Sequence, residues 1–244
     1  MDYKKLADML FPNITKPVSY YEDTVFPKRN LSAGAKVTRL APSPTGFIHL
    51  GNLYGAFVDE RLAHQSNGVF ILRIEDTDDK RKVEGAVETI ISSLAFFDLK
   101  FDEGAGINGE TGNYGPYFQS NRAEIYQTVA KHLIEMGRAY PCFCSEEELE
   151  EIRKQQLAEN VNTGYYGKWA VHRDLTLEEV QKHLENNESF VIRFKSMGTP
   201  EDTFEIDDAI RGRLSMQANF QDIVLLKANG IPTYHFAHVV DDHL

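Results

Sequence analysis

The sequence predicts an α/β fold: a parallel sheet opened by a strand–helix–strand unit and interrupted by an α+β insertion. Three observations predict it. KVTRLA (36–41) reads as a short strand, and Leu50, Leu53, Tyr54, Phe57, Val58 and Leu62 then recur at helical spacing. VFILRI (69–74) is an unbroken apolar run, the pattern of a strand buried on both faces. Strand, helix and strand in that order make a crossover unit, which is right-handed in nearly every known sheet.

The remaining elements follow from the same kinds of signal. Residues 1–35 read as an N-terminal arm punctuated by Pro12, Pro17 and Pro27, with one short helical stretch at 3–10. Asn67-Gly68 stops the first long helix, and Val83, Val87, Ile90, Ile91 and Leu94 mark a second. A glycine-rich stretch at 102–117 closes a first domain over 36–118. Ile125, Val129 and Leu133 share one face of a helix ending at Gly137. Ser145 with Glu148, and Thr176 with Glu179, are capping boxes that begin two further helices. SFVIRF (189–194), TFEI (203–206) and DIVLLK (222–227) read as strands, so 119–231 is expected to be the insertion. Gly230 and Pro232 mark a turn, and 232–244 returns to the first domain as a helix that the chain leaves unfinished, as a fragment would.

Composition narrows the class. With 42% hydrophobic and 26% charged residues the chain has a globular rather than a disordered composition. No apolar run approaches the ~20 residues of a membrane span, and MDYKKLADML lacks the apolar core of a secretion signal. No membrane partner is expected. Two cysteines two positions apart support no disulfide framework, so a reduced, cytoplasmic chain is the simpler expectation. A net charge of −11 argues against broad, non-specific nucleic-acid binding.

The stretch RLAPSPTGFIHLGN (39–52) carries the chemistry. A helix start leaves backbone N–H groups unpaired and carries positive partial charge, so it attracts phosphate. His49 and Asn52, three apart, project from one side of that first turn, and Gly51 leaves the backbone open to a flat base. On spacing alone, a proline-stiffened turn with a surface histidine explains the pattern as well as a nucleotide site does.

The stretch resembles the first signature of class I aminoacyl-tRNA synthetases, here His49-Leu50-Gly51-Asn52. With LRIEDTD (72–78) and DIVLLKANGIPTYHFAHVVDDHL (222–244), it is similar specifically to the glutamyl family. The resemblance implies a Rossmann-like parallel sheet, the first half of a class I catalytic domain, with an inserted α+β acceptor-stem-binding domain. It implies that ATP and Mg²⁺ are used and that L-glutamate and tRNA(Glu) are substrates, with tRNA(Gln) left open. A monomer is the simple expectation, on which the sequence itself gives no sign. His49, Gly51 and Asn52 would then bind ATP, with His49 and Asn52 acting as catalytic donors. Arg39, Ala41, Ser43, Glu75, Tyr234 and His238 would line the glutamate pocket, Arg39 gripping the side-chain carboxylate and Glu75 the ammonium. Asp76, Thr77 and Asp78 read as a solvated turn. His238 stands where the family often has Asn. The family's lysine-rich loop and anticodon domain have no counterpart in this sequence, so the chain by itself is expected to be inactive.

Some members of that family hold zinc through a Cys-x-Cys pair and a second pair further on. Here Cys142 and Cys144 are followed by His172, with Trp169 where a ligand cysteine would stand. That leaves His172 displaced and the set short of four ligands, so zinc is not expected. The insertion carries 13 Lys and Arg against 19 Asp and Glu, and its charge therefore gives RNA contact no independent support. Two alternatives stay open: a paralogue that attaches glutamate to a modified base of tRNA(Asp), and a non-catalytic tRNA- or nucleotide-binding module.

Overall fold

In the computed structural model the described residues are 1–46, 48–78 and 83–244. They divide into two compact units, one of Met1–Thr15 with Gln127–Thr233 and one of Lys16–Tyr126 with Tyr234–Leu244.

The second unit is the α/β part. β1 (Val37–Leu40) and β2 (Val69–Leu72) pair in parallel, joined by α3 (Leu50–Gln65), which gives the crossover unit the sequence predicts. β2 pairs in parallel with β3 (Glu103–Gly106), and β3 turns back antiparallel into β4 (Gly109–Thr111), for a sheet order of β1-β2-β3-β4. α4 (Ala86–Phe96) lies between β2 and β3 in the chain. The core is built from Leu40, Ala56, Ala63, Phe70, Leu72, Ile74, Ile90 and Leu94. The unbroken apolar run is covered unevenly: Phe70 and Leu72 are fully enclosed, whereas Val69 and Ile71 are only half-buried, so one face of β2 is covered more closely than the other, which the sequence pattern does not suggest.

β3 and β4 lie in the glycine-rich stretch that read as a closing segment, because glycine is a poor strand former and hides the pattern. Gly104 shows why glycine stands there. Its φ is +136°, and a Cβ at that position would lie 2.3 Å from the Leu72 carbonyl oxygen. The arm also has more structure than its prolines suggest. α2 (Val18–Tyr20) runs into a wide turn at Tyr21–Val25. Beyond it, Arg29 grips Glu103 with two bonds of 2.6 and 2.9 Å and stacks 3.6 Å from the centre of the Tyr114 ring. Tyr117 donates to the same carboxylate at 2.9 Å. Burial pushes the Glu103 carboxyl up, but the Arg29 and Tyr117 bonds outweigh it and hold it below its ordinary value. The unit ends with α8 (Tyr234–His243).

The first unit contains α1 (Tyr3–Leu10) and most of α5 (Ala123–Glu135), which straddles the division. A three-stranded antiparallel sheet orders β5 (Ala139–Cys142), β6 (Val191–Phe194) and β9 (Val224–Leu226). β5 contains Pro141, which masks it in the sequence and suits its place at the sheet edge. α6 (Glu146–Ala158) and α7 (Leu177–Glu185) start on the expected capping boxes. β7 (Thr203–Asp208) and β8 (Gly212–Gln217) form a separate hairpin. No described helix is long and apolar enough to cross a membrane.

Candidate active site

The loop that leaves β1 keeps pace with the strand beside it. Arg73 N donates to Leu40 O and Glu75 N to Pro42 O, at 3.0 and 3.1 Å, so the parallel pairing continues past the ends of both strands. That extension sets Glu75 beside the exit of β1, buried at 5% exposure. Arg39, the third residue of β1, reaches α8, where its Nη2 lies 3.0 Å from His238 Nδ1. His238 Nδ1 is in turn 4.0 Å from Glu75 Oε1, and the His238 ring lies 27° from the plane of Tyr234 at 5.9 Å. Four of the six residues expected in the glutamate pocket, Arg39, Glu75, Tyr234 and His238, thus meet where the strand ends face α8. Ala41 and Ser43 line the loop, half-buried and exposed respectively.

The electrostatics of this cluster have clear causes. Burial pushes the Glu75 carboxyl above its ordinary value, against the pull of Arg73, Arg39 and His238. The hydrogen bond from Arg39 to Asp242 raises the guanidinium's already high value. Arg39 therefore stays charged in the site.

The second set stands at the first turn of α3. Asn52 Oδ1 accepts from His49 N at 3.4 Å, which ties the two residues across that turn. The imidazole folds back over Gly51, where a Cβ would come within 3.2 Å of ring atoms Cε1 and Nδ1. A side chain at 51 would thus crowd the imidazole by a few tenths of an ångström, which a shift of the exposed ring would have to absorb. His49 is exposed. Pro42 and Pro44, which stiffen the approach, are buried. Phe47 lies outside the described residues.

Two expectations need correction. Asp76 and Thr77 do not form a solvated turn: they are 4% and 8% exposed, and Asp76 accepts from Ser120 N and Oγ at 2.9 and 2.7 Å. A run of carboxylates in a sequence gives no sign of such a distant partner. Nor is His172 displaced from the cysteines. Its Nδ1 is 3.3 Å from Cys144 Sγ, and the metal-ligating atoms of Cys142, Cys144 and His172 all lie within 4.8 Å of one another. The Tyr165 hydroxyl completes the group, at 3.4 and 3.5 Å from the two sulfurs. The hydrogen bond from Cys144, with help from His172 and Tyr165, holds the Cys142 thiol well below its ordinary value. The same shared proton, together with burial, pushes Cys144 up.

Sequence reasoning missed the groups behind the cluster. Arg73, Asp241 and Asp242 join it through ion pairs of 2.9–3.6 Å, and Arg122 through Asp241 at 2.9 Å. A cleft of about 910 Å³ runs beside β1, with Arg29, Arg39, Arg73, Tyr114, Asp241 and Asp242 among its lining residues. Of the residues expected in the site, it includes Arg39 alone.

The chain as a whole matches known proteins. Residues 36–244 match the family described as tRNA synthetases class I (E and Q), catalytic domain. The chain is 95% identical over 244 residues to a glutamate–tRNA ligase of Acetivibrio thermocellus, covering all of this chain and 45% of that protein. It is 52% identical to one of Clostridium perfringens, again over 100% of this chain and 45% of the relative. A crystal structure of a glutamate tRNA ligase from Elizabethkingia meningosepticum in complex with its amino acid superposes with a TM-score of 0.75 at 38% identity, over 86% of this chain and 42% of that one. The chain therefore spans less than half the length of the relatives it matches.

Proposed function

Because the chain belongs to the catalytic-domain family of class I tRNA synthetases for glutamate and glutamine, we propose that it is the part of a glutamate–tRNA ligase that binds and activates the amino acid. The observation that carries this reading is the pairing of opposite charges at the strand ends. Arg39 offers a planar fork suited to the side-chain carboxylate of glutamate. Glu75, lying 4.0 Å from His238, offers an anion to the ammonium. His238 stands between them, 3.0 Å from Arg39 and 4.0 Å from Glu75, with the Tyr234 ring stacked against it.

In the activation step an oxygen of the α-carboxylate attacks the α-phosphate of ATP in line, and the bond to the departing pyrophosphate breaks. Negative charge grows on the phosphate oxygens. His49, Asn52 and the amides at the start of α3 share one helix turn, where donors and positive partial charge can meet that growing charge. Mg²⁺ arriving with ATP would neutralise the pyrophosphate. The acyl group then passes to a hydroxyl of the terminal adenosine of tRNA as its bond to AMP breaks and AMP leaves. The relatives' names carry glutamate and tRNA, and tRNA(Glu) is the tRNA this reading takes. In the other unit, Cys142, Cys144, His172 and Tyr165 would hold a soft ion such as zinc, bracing β5 against the segment that carries Tyr165.

The test is glutamate-dependent exchange of pyrophosphate into ATP, with tRNA present, by the full-length protein that carries this chain. Arg39→Ala is expected to raise the KM for glutamate and spare that for ATP. His49→Ala is expected to lower kcat by about 10²–10³, the usual cost of one preorganised donor. Exchange that does not depend on glutamate would overturn the assignment.

A further inference from the structure

Arg39 is already gripped from one side. Its Nε donates to Asp242 Oδ1 at 3.0 Å and its Nη2 to Oδ2 at 2.8 Å, so a single carboxylate takes the side-on edge of the guanidinium. A guanidinium has a second edge, formed by its two terminal nitrogens, that can hold another carboxylate at the same time. In Arg39 the Nη2 end of that edge lies 3.0 Å from His238 Nδ1, so an incoming carboxylate takes Nη1 and shares Nη2 with the imidazole. Asp242 is itself anchored from behind. Its Oδ1 accepts from Arg73 Nη1 at 2.9 Å, and the buried Arg73 donates through Nη2 to Glu75 Oε1 at 3.3 Å. His238 Nε2 lies 3.2 Å from Asp242 Oδ2 on the remaining side.

We propose that Asp242, held by Arg73, is a positioning residue for amino-acid binding, fixing the plane of Arg39 so that its end-on edge faces the substrate's side-chain carboxylate. Arg73 bonds both Asp242 and Glu75, so it also sets the spacing between the groups that take the two charged poles of the substrate. This inference rests on Arg39 and Glu75 being the amino-acid contacts. The charge balance favours positioning over competition. Asp242 answers to two guanidinium groups, Arg73 and Arg39, so Arg39 does not carry that carboxylate alone and keeps part of its charge for an incoming one. An Asp242 that merely stood in for substrate would have no reason to be bonded to a buried arginine as well.

The test uses the full-length protein in the tRNA-supported pyrophosphate exchange assay. Asp242→Asn keeps the size of the side chain but turns one acceptor into an NH₂ that faces arginine donors, so the fork is lost. The expected result is a rise of about tenfold or more in the KM for glutamate, matching the loss of a charge-assisted bond. The kcat and the KM for ATP should stay within about twofold. Asp242→Glu retains both oxygens and should fall nearer to wild type. A KM for glutamate that is unchanged or lowered in Asp242→Asn, while Arg39→Ala raises it, overturns the positioning role and leaves the site reading standing. A KM unchanged in Arg39→Ala overturns both.

Discussion

Asp241→Asn tests the charged framework beneath the site. The Asp241 side chain is wholly buried, and it accepts from Tyr126 Oη at 2.9 and 3.0 Å and from Gln119 Nε2 at 2.8 Å. Arg122 Nε stands 2.9 Å away and Arg73 Nε 3.6 Å, with those two side chains only 5% and 6% exposed. The amide keeps the volume but removes the charge. Arg73 would still have Asp242 and Glu75, whereas Arg122 would keep the Pro116 carbonyl at 3.1 Å and the face of Phe26 at 4.8 Å. One buried cation is therefore left without its anion, and breaking such a pair costs about 3–5 kcal/mol. The partial compensation from Pro116 and Phe26 puts the expected loss at the lower end, about 3 kcal/mol. Urea unfolding followed by far-ultraviolet circular dichroism measures it. Trp169, the single tryptophan, lies in the other unit and reports on that unit separately by fluorescence. Removing the stranded cation in Asp241→Asn/Arg122→Met should recover part of the loss, as expected for coupled residues. A single-variant loss below about 1 kcal/mol would show that Asp241 and Arg122 are not coupled as their geometry implies.

Further outcomes follow from other parts of the structure. Glu103 has a folded value held below the ordinary 4.5, so its bond with Arg29 contributes stability above that value and loses it as pH falls through the depressed one. Arg29→Ala should accordingly cost about 2 kcal/mol near neutral pH, and the gap to wild type should close in acid-unfolding curves. Gly104→Ala would drive a Cβ to 2.3 Å from Leu72 O, so a lowered melting temperature and a weakened β2–β3 pairing in amide exchange are expected. Cobalt(II) added to the reduced chain should give a thiolate-to-metal absorption band near one equivalent, lost in Cys144→Ser; absence of the band would mean that the thiols serve no metal.

The amount legible in the sequence differs between the two levels. The crossover unit was legible because 69–72 is an unbroken apolar run and apolar residues recur along 50–65. The sequence did not show which face of the helix is covered: Ala56, Glu60 and Ala63 are buried, whereas Leu50, Tyr54, Phe57 and Leu62 are exposed. The capping boxes at Ser145 and Thr176 were legible because the motif is local, each carboxylate reaching back three residues. β3 and β4 were hidden by glycines and β5 by Pro141, residues whose strand meaning appears only beside a neighbour. In the site, the residues of the RLAPSPTG and LRIEDTD stretches were identified by resemblance, not by periodicity. Asp242 carries no local signal at all, since its partner Arg39 is 203 positions away. The place of His172 was misread for a related reason. A spacing rule counts residues along the chain, and the loop after Tyr165 brings the imidazole back to Cys144 regardless of the count.

The way α8 is held links this fold to its chemistry. Phe236, Ala237 and Val240 form its buried apolar face, and Asp241 with Asp242 supplies the rest of its attachment. Apolar burial fixes a helix against a core but tolerates small slides along its axis, because the contacts are non-directional. The bonds from Tyr126, Gln119, Arg73 and Arg39 are directional, and a screw shift of one residue, about 1.5 Å along and about 100° around the axis, would put Asp242 in the place of Asp241 and break both sets at once. Adjacent aspartates that share Arg73 but otherwise pair with different arginines, Asp241 with Arg122 and Asp242 with Arg39, thus act as a register lock. The lock costs stability relative to an apolar contact, since buried ion pairs seldom repay their desolvation in full. A site that must hold Arg39 and Glu75 at a set separation has a use for that exchange, because Tyr234 and His238 ride on the same helix.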